Sequence, residues 1–396
     1  MSEITPATSI PPTAPGDPAS ASPPMTEEFQ EREAQVMVAS QWKLIWWKFR
    51  KHKLAMFSAV VVIAIYVVAA FAEFFSPFPP DQYVANYTYA PPQALHFFDS
   101  SDGSLRFGLY VSGYKVAIDT FSLRRTFVSD PEVKIPVTLF AKGWDYKLLG
   151  IIPTNRHIIG PVDGEGPMYL LGADHMGRDL LSRIAAGTRI SMSIGLLGVA
   201  ISLVLGILLG GISGYYGGVA DNVIQRLIEF LRSLPTIPLW MSLAAALPVN
   251  WPPQYVYFGI TLILSFIGWT GLARVVRGRF LALREEDFVL AAKLDGAPQL
   301  YLILRHMAPS FASHIIASIT LAIPAMILSE TALSFLGLGL RPPIVSWGVL
   351  LQDAQNVRAV STAPWLLLPG VAVVIAVLSL NFFGDGLRDA ADPYGR

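Results

Sequence analysis

Residues 54–72 read LAMFSAVVVIAIYVVAAFA, an apolar run without a charged side chain. A hydrocarbon core about 30 Å thick needs about 20 such residues in an α-helix. The flanks orient the run: Lys48, Arg50, Lys51 and Lys53 precede it, and Glu73, Pro77, Pro79 and Pro80 follow it. Basic residues collect on the cytoplasmic side, so the chain ahead of this run is expected in the cytoplasm. No small-residue cleavage site follows, and the run is therefore read as a first span rather than a removed leader.

Upstream, residues 5–24 are dominated by Pro, Ala, Ser and Thr, with little apolar surface to offset the entropy of ordering. Residues 1–40 are expected to form a disordered tail. Residues 41–75 then hold an amphipathic lead-in and the first span. Trp42, Ile45, Trp46 and Phe49 recur at helical spacing among Lys43, Lys48 and Arg50. Both an interfacial helix and the water-side start of the first span fit that pattern.

Downstream, further apolar runs lie at residues 190–212, 233–247, 255–272, 311–332 and 363–383. Six spans result, and both termini then face the cytoplasm. The third run is short and is expected to be extended by residues 223–232, where Glu229 and Arg232 stand at i, i+3. Charge supports the orientation. Arg274, Arg277, Arg279, Arg284, Lys293 and Arg305 fall between spans four and five, whereas residues 248–254 carry no Lys or Arg. Arg178, Arg183 and Arg189 stand on the outer side, within a long segment whose translocation is largely indifferent to charge.

That segment, residues 76–183, contains strand-like runs at 105–111, 114–121 and 134–140, broken by Gly, Pro and Asp. It is long for a connection and is expected to be a β-rich extracytoplasmic insert. A folded ectodomain and a spacer that shapes the outer vestibule are both open. Residues 184–396 are then the permease core, with five spans.

Composition agrees. Of 396 residues, 53% are hydrophobic and 15% charged, with a mean hydropathy of +0.48, whereas soluble chains carry about 25% charged residues. Lys+Arg and Asp+Glu both number 29, which points to neither a nucleic acid nor an acidic partner. Without cysteine, disulfides, thiolate metal sites and thiol nucleophiles are excluded. The chain has no G-x-x-x-x-G-K-[ST] loop for ATP phosphates and no G-x-S-x-G nucleophile turn. No enzyme activity, cofactor or metal is expected.

The most informative hydrophilic stretch is residues 287–296, DFVLAAKLDG, followed by RHMAP at 305–309. Ala291 and Ala292 give a helix with a flat face, and Gly296 gives it a place to end. Pro309 is expected to open the next span. An ordinary helical loop and a surface for a detachable partner both fit. The stretch resembles the E-A-A-x-x-x-G loop, followed by I-x-L-P, of ABC importer permeases. Ala291, Ala292, Gly296 and Pro309 match, while Leu290, Met307 and Ala308 replace the usual Glu, Ile and Leu. Asp295 stands next to the glycine as an alternative acidic contact.

Residues 171–179 (LGADHMGRD), 214–218 (GYYGG), 333–339 (LSFLGLG), 346–348 (SWG) and 384–389 (GDGLRD) are similar to the same family. The chain is thereby identified as resembling the oligopeptide/dipeptide C-type permease subunits of binding-protein-dependent ABC importers. The resemblance implies an all-α polytopic fold of six transmembrane helices in the bacterial inner membrane. It also implies a coupling helix, at Ala291, Ala292, Asp295, Gly296 and Pro309, that docks on an ATPase. The implied partners are a homologous second permease, two ATP-binding cassette subunits, an extracytoplasmic solute-binding protein and the lipid bilayer. Oligopeptides are the expected solute, with oligosaccharides or another small solute as the alternative. An ion-coupled secondary transporter is the reading from a different class; it requires intramembrane charges and often shows inverted repeats.

Asp174, His175 and Asp179 are loosely spaced for a metal, and charge pairing of these groups with Arg178 or Arg183 competes with that reading. Glu330, late in the fifth run, is an intramembrane carboxylate or one solvated at the outer interface. Pro235, Pro238 and Pro324 interrupt runs three and five, either as tolerated breaks or as kinks that line or gate a pathway.

Overall fold

The computed structural model describes residues 41–99, 106–118, 125–162, 164 and 166–391. The expected tail, residues 1–40, lies outside them. Helix α1 (Gln41–Lys51) and helix α2 (Lys53–Ala70) meet at His52, whose Nδ1 accepts from the Ala55 N–H and caps α2. After α2 come four antiparallel strands, β1 (Leu95–Asp99), β2 (Arg106–Ile118), β3 (Arg125–Leu148) and β4 (Ile152–Pro161), paired in sequence order.

The core is helical. Helix α3 (Leu180–Tyr216) has 37 residues. An amphipathic α4 (Gly218–Ser233), a short α5 (Thr236–Ala245), α6 (Pro253–Leu283) and a peripheral α7 (Asp287–Leu294) follow. Helix α8 (Ala312–Phe335), the short α9 (Trp347–Gln352) and α10 (Val357–Thr362), and α11 (Leu368–Ala391) complete it. Among the described residues, five segments are long and apolar enough to cross a membrane: Lys53–Ala70, Leu180–Tyr216, Pro253–Leu283, His314–Phe335 and Pro364–Ala391.

The expected third run departs from the other five. Pro235 is the N-cap of α5 and Pro238 lies in its first turn, so the chain breaks between α4 and α5 instead of forming one helix. Thr236–Ala245 has ten residues, too few for a span by itself. Glu229 pairs with Arg226 at 2.9 Å and not with Arg232.

Helices α3 and α6 run parallel. The Tyr257 hydroxyl, near the N-terminus of α6, donates to Ser193 Oγ at 2.9 Å, and Ser265 Oγ donates to the Gly198 carbonyl at 3.1 Å further along both helices. Gly210 and Gly214 let them touch: a Cβ there would meet the Ala273 and Arg277 carbonyl oxygens at 2.5 and 2.7 Å. Small residues at such crossings allow close backbone packing where the hydrophobic effect offers no drive between helices. Because α3 and α6 are parallel, the chain returns between them through α4 and α5. Met192, Ile194, Leu264, Ile327 and Leu380 join α3, α6, α8 and α11 in one core. Phe57, Ile63, Val204, Leu262, Val374 and Leu378 remain exposed on the bundle's outside, as expected for a lipid-facing surface.

Candidate functional site

Helix α7 sits beyond the C-terminal end of α6. Its Val289 is 1% exposed and packs with Val276, Phe280, Ile303, Met307 and Phe311. One anchored side chain therefore fixes the helix to the ends of α6 and α8. The opposite side stays bare: Phe288, Leu290 and Leu294 are exposed, Leu294 at 89%. Leu300, Tyr301 and Leu304, in the stretch that follows α7, are exposed as well.

The end of α7 follows from Gly296, at φ +80°. Its N–H donates to the Lys293 carbonyl at 3.1 Å, and the Ala297 N–H donates to the Ala292 carbonyl at 3.2 Å. This pair of bonds is the Schellman arrangement, in which the residue past the cap adopts a left-handed conformation. A Cβ on Gly296 would meet nothing within 4 Å of this chain. Ala291, Asp295 and Gly296 are exposed, and Ala292 is half-buried. Pro309 does not open the next span. It belongs to a short turn, Ala308–Ser310, and Phe311 at φ −124° separates it from α8. A π-helical stretch, Leu302–Met307, precedes it.

At the other end of α3, residues 172–179 form a closed turn. Asp174 Oδ1 accepts from the Met176 and Arg178 N–H groups at 2.8 and 3.0 Å. Its Oδ2 receives Arg178 Nε at 2.7 Å and lies 3.3 Å from Arg183 Nε. Arg183 is 2% exposed and Asp174 fully buried. Asp179 caps α3, its Oδ2 accepting from the Ser182 N–H and hydroxyl at 2.8 and 2.6 Å. His175 Nδ1 meets Asp353 Oδ2 at 2.8 Å. Asp174, His175 and Asp353 offer ligand atoms within 4.8 Å of one another. Asp174 already accepts from the Arg178 guanidinium and two amides and has the Arg183 charge beside it.

Glu330 is fully buried, which excludes the solvated alternative. Ser334 and Ser346 donate to its Oε1 at 2.8 and 2.7 Å, and Ser191 to its Oε2 at 3.2 Å. Ser346 also caps α9, and Ser191 Oγ accepts from the Trp347 N–H at 3.2 Å. One carboxylate thus ties α3, α8 and α9 together. Pro324 lies buried inside α8, whereas Pro235 and Pro238 are exposed. Glu330 and the three prolines do not converge with α7 on one site. Only Ser334, at i+4, was open to discovery from sequence spacing; Ser191 and Ser346 come from distant segments.

Residues 202–394 match the family described as the binding-protein-dependent transport system inner membrane component, and residues 40–92 match the N-terminal TM domain of oligopeptide transport permease C. The oligopeptide transport system permease protein OppC of Haemophilus influenzae is 41% identical over 58% of this chain and 71% of its own length. OppC of Escherichia coli K12 is 40% identical over 58% of this chain and 73% of its own. The dipeptide transport system permease protein DppC of Alkalihalophilus pseudofirmus is 36% identical over 61% and 75%. Among solved structures, an inward-facing MetNI methionine ABC transporter aligns with a TM-score of 0.39 at 18% identity, over 54% of this chain and 96% of the other. With its five long apolar segments, the chain belongs to the C-type membrane permease subunits of binding-protein-dependent ABC importers.

Proposed function

We propose that this subunit forms half of a translocation pathway for oligopeptides delivered by an extracytoplasmic binding protein. A homologous second permease supplies the other half, and two separate ATP-binding cassette subunits supply the energy. The carrying observation is α7: one buried anchor, Val289, beneath an exposed apolar face of Phe288, Leu290 and Leu294. An apolar patch on a peripheral helix marks a surface that another protein covers. In this reading α7 is the coupling helix, with Ala291, Ala292, Asp295 and Gly296 at the contact and Pro309 behind it. The peptide assignment rests on the named relatives; oligosaccharides or another small solute remain the alternative cargo.

The chain crosses the bilayer six times in this reading, because parallel α3 and α6 require a return, which α4 and α5 make in two pieces. Both termini are then cytoplasmic in the bacterial inner membrane. Residues 76–183, with the four-stranded sheet, form the extracytoplasmic insert, and residues 184–396 the permease core. Pro235, Pro238, Pro324 and Glu330 belong to the pathway or its gating. ATP-driven closure of the cassette subunits would move α7 and, through Val289, the ends of α6 and α8.

The test is Gly296→Leu in the reconstituted assembly. A non-glycine residue at φ +80° costs about 1–3 kcal/mol of strain, and the added side chain enters the partner's space. Normal membrane levels, weakened ATPase retention and lost peptide uptake are expected. Uptake at the parental rate with the ATPases bound would remove α7 from the coupling role.

A further inference from the structure

Asp179 is used by the fold through only one of its oxygens. Oδ2 caps α3 through Ser182, whereas Oδ1 is buried and has no hydrogen-bond partner among the described residues. The side chain forms part of the wall of a cavity of about 360 Å³. Its lining includes buried Asp179, Gly177 and Tyr169, half-buried Tyr87 and Phe78, and exposed Gln82. The rings form one aromatic wall: Tyr87 and Phe78 stand 5.5 and 6.3 Å from Tyr169, centroid to centroid. Both nearby guanidiniums, Arg178 and Arg183, are drawn to Asp174.

A buried carboxylate oxygen costs free energy unless something donates to it. Aromatic faces attract cations, organic ammonium ions above all. A single free oxygen among rings is a poor donor set for a hydrated metal ion, which takes six or more oxygens. We infer that this cavity is a binding site for a primary ammonium group carried on a small apolar body, with Asp179 Oδ1 as counter-ion and Tyr87, Tyr169 and Phe78 as the wall. The volume lies at the small end of the range of about 300–1,000 Å³ for ligand sites, which suits an amine the size of an amino acid or a peptide's first residue. The site is distinct from the α7 surface and does not depend on the transport reading.

Protonation gives the site a pH dependence. Burial pushes the Asp179 carboxyl up to about 6, opposed by its bonds to Ser182 and the nearby Leu181 N–H dipole and reinforced by the Asp174 charge. It is charged, and able to hold an ammonium ion, above that value. Among the described residues, the other groups around it are Tyr169 and Tyr114, both held protonated by burial, Tyr87, Asp174, Arg178 and Arg183. His175, on the same turn, loses charge as pH rises and acts in the same direction, so a variant must separate the two.

The full chain in phosphatidylcholine nanodiscs, probed by saturation-transfer NMR with phenethylammonium, tests the site. Phenethyl alcohol is the neutral control. The ammonium should bind at pH 7.5, about tenfold more weakly at pH 5, and the alcohol at least tenfold more weakly at both. Asp179→Asn keeps a good N-cap residue but removes the charge; it should bind at least tenfold more weakly and lose the pH step. Tyr87→Leu should bind several-fold more weakly. Displacement of the probe by Phe-Ala amide but not by its N-acetyl form assigns the site to a peptide N-terminus. Displacement by glycerophosphoethanolamine assigns it to a lipid headgroup. Equal binding of amine and alcohol, undiminished binding by Asp179→Asn, no binding of the probe at millimolar concentration, or failure of both competitors would overturn the inference.

Discussion

The turn of residues 172–179 and helix α7 lie at opposite ends of parallel α3 and α6, and they are constructed on opposite principles. The turn buries charge and pairs most of it internally: one carboxylate, Asp174, accepts from Arg178 and two amides and faces the Arg183 guanidinium. Among the described residues, only Asp179 Oδ1 of the turn's carboxylate oxygens is left without a hydrogen-bond partner. Helix α7 buries a single valine and leaves large apolar side chains in the open. A buried ionic cluster is costly to form and more costly to break by halves, so it fixes one geometry. An exposed apolar face gains its free energy only when covered, so it is stable in association. The contrast teaches where each kind of damage should be read: in the folding of the subunit at the turn, in the assembly of subunits at α7.

The sharpest way to break this comparison is Asp174→Ala. It leaves Arg178 and Arg183 without their shared counter-ion, Arg183 being 2% exposed. Loss of one partner from a buried ion cluster costs about 3–5 kcal/mol. Thermal unfolding in detergent should report that loss together with reduced membrane levels. A variant as stable as the parent would mean that the turn is not the rigid end of the molecule.

Glu330→Leu comes next. The leucine approximates the side-chain volume but strips the acceptor from Ser191, Ser334 and Ser346. Ser334 and Ser191 lie in helices and can turn back toward their own i−4 carbonyls, so the expected cost is about 1–3 kcal/mol. Limited proteolysis of the segment between α8 and α9 should speed up more than cleavage elsewhere. An unchanged cleavage pattern would show that Ser346 is held by its N-cap bond to Val349 rather than by Glu330.

At α7 the expected effect on the free subunit is smaller. Gly296→Ala places a β-carbon at φ +80° without meeting another atom of the chain. Only the left-handed conformation is penalised, by about 1–2 kcal/mol. Amide exchange should quicken for Gly296 and Ala297, whose N–H groups close the cap, while the melting temperature of the subunit barely moves. A fall in melting temperature as large as that of Asp174→Ala would erase the distinction between the two ends.

The same contrast explains what could be read from the sequence. The five long apolar segments were legible because lipid-facing helices are apolar on all sides, so no register has to be known. Gly296 was legible because a helix end at a left-handed residue favours glycine. The return between α3 and α6 was legible only in part: Pro235 and Pro238 mark an interruption, but the third run extended by residues 223–232 implies one helix where the structure has two, α4 and α5. In the sheet, the sequence pattern suggests two strands at residues 105–111 and 114–121, of which 105 and 119–121 lie outside the described residues. The structure instead runs one strand, β2, through a register shift between Ser112 and Gly113, and a glycine in a strand marks a bulge as readily as an end. Strands β1 and β4 were missed, and the run at 134–140 is the middle of the longer β3. The hub at Glu330 was invisible for a different reason: its donors lie 139 and 16 residues away in the chain, and no local period connects them.

The smallest expected effect lies at the edge of the rigid end, where His175 Nδ1 meets Asp353 at 2.8 Å. The hydrogen bond to Asp353 raises the His175 pKa above 6.5; burial opposes it, the Asp353 and Asp174 charges reinforce it and Arg178 opposes it. A folded-state pKa above the unfolded one means that the charged pair stabilises the fold fully below about pH 6.5, and that this share is lost as pH rises through the folded value. The side chains are 37% and 23% exposed, so solvent screens the pair and its contribution should stay under about 1 kcal/mol. The gap in melting temperature between the parent and His175→Gln should therefore be widest near pH 5.5, narrow toward pH 8, and shrink in high salt. Titration of Asp179 occurs in both proteins and cancels in the difference. A gap that persists unchanged from pH 5.5 to pH 8 would mean that a neutral hydrogen bond, and not a charge pair, links the turn to the segment after α9.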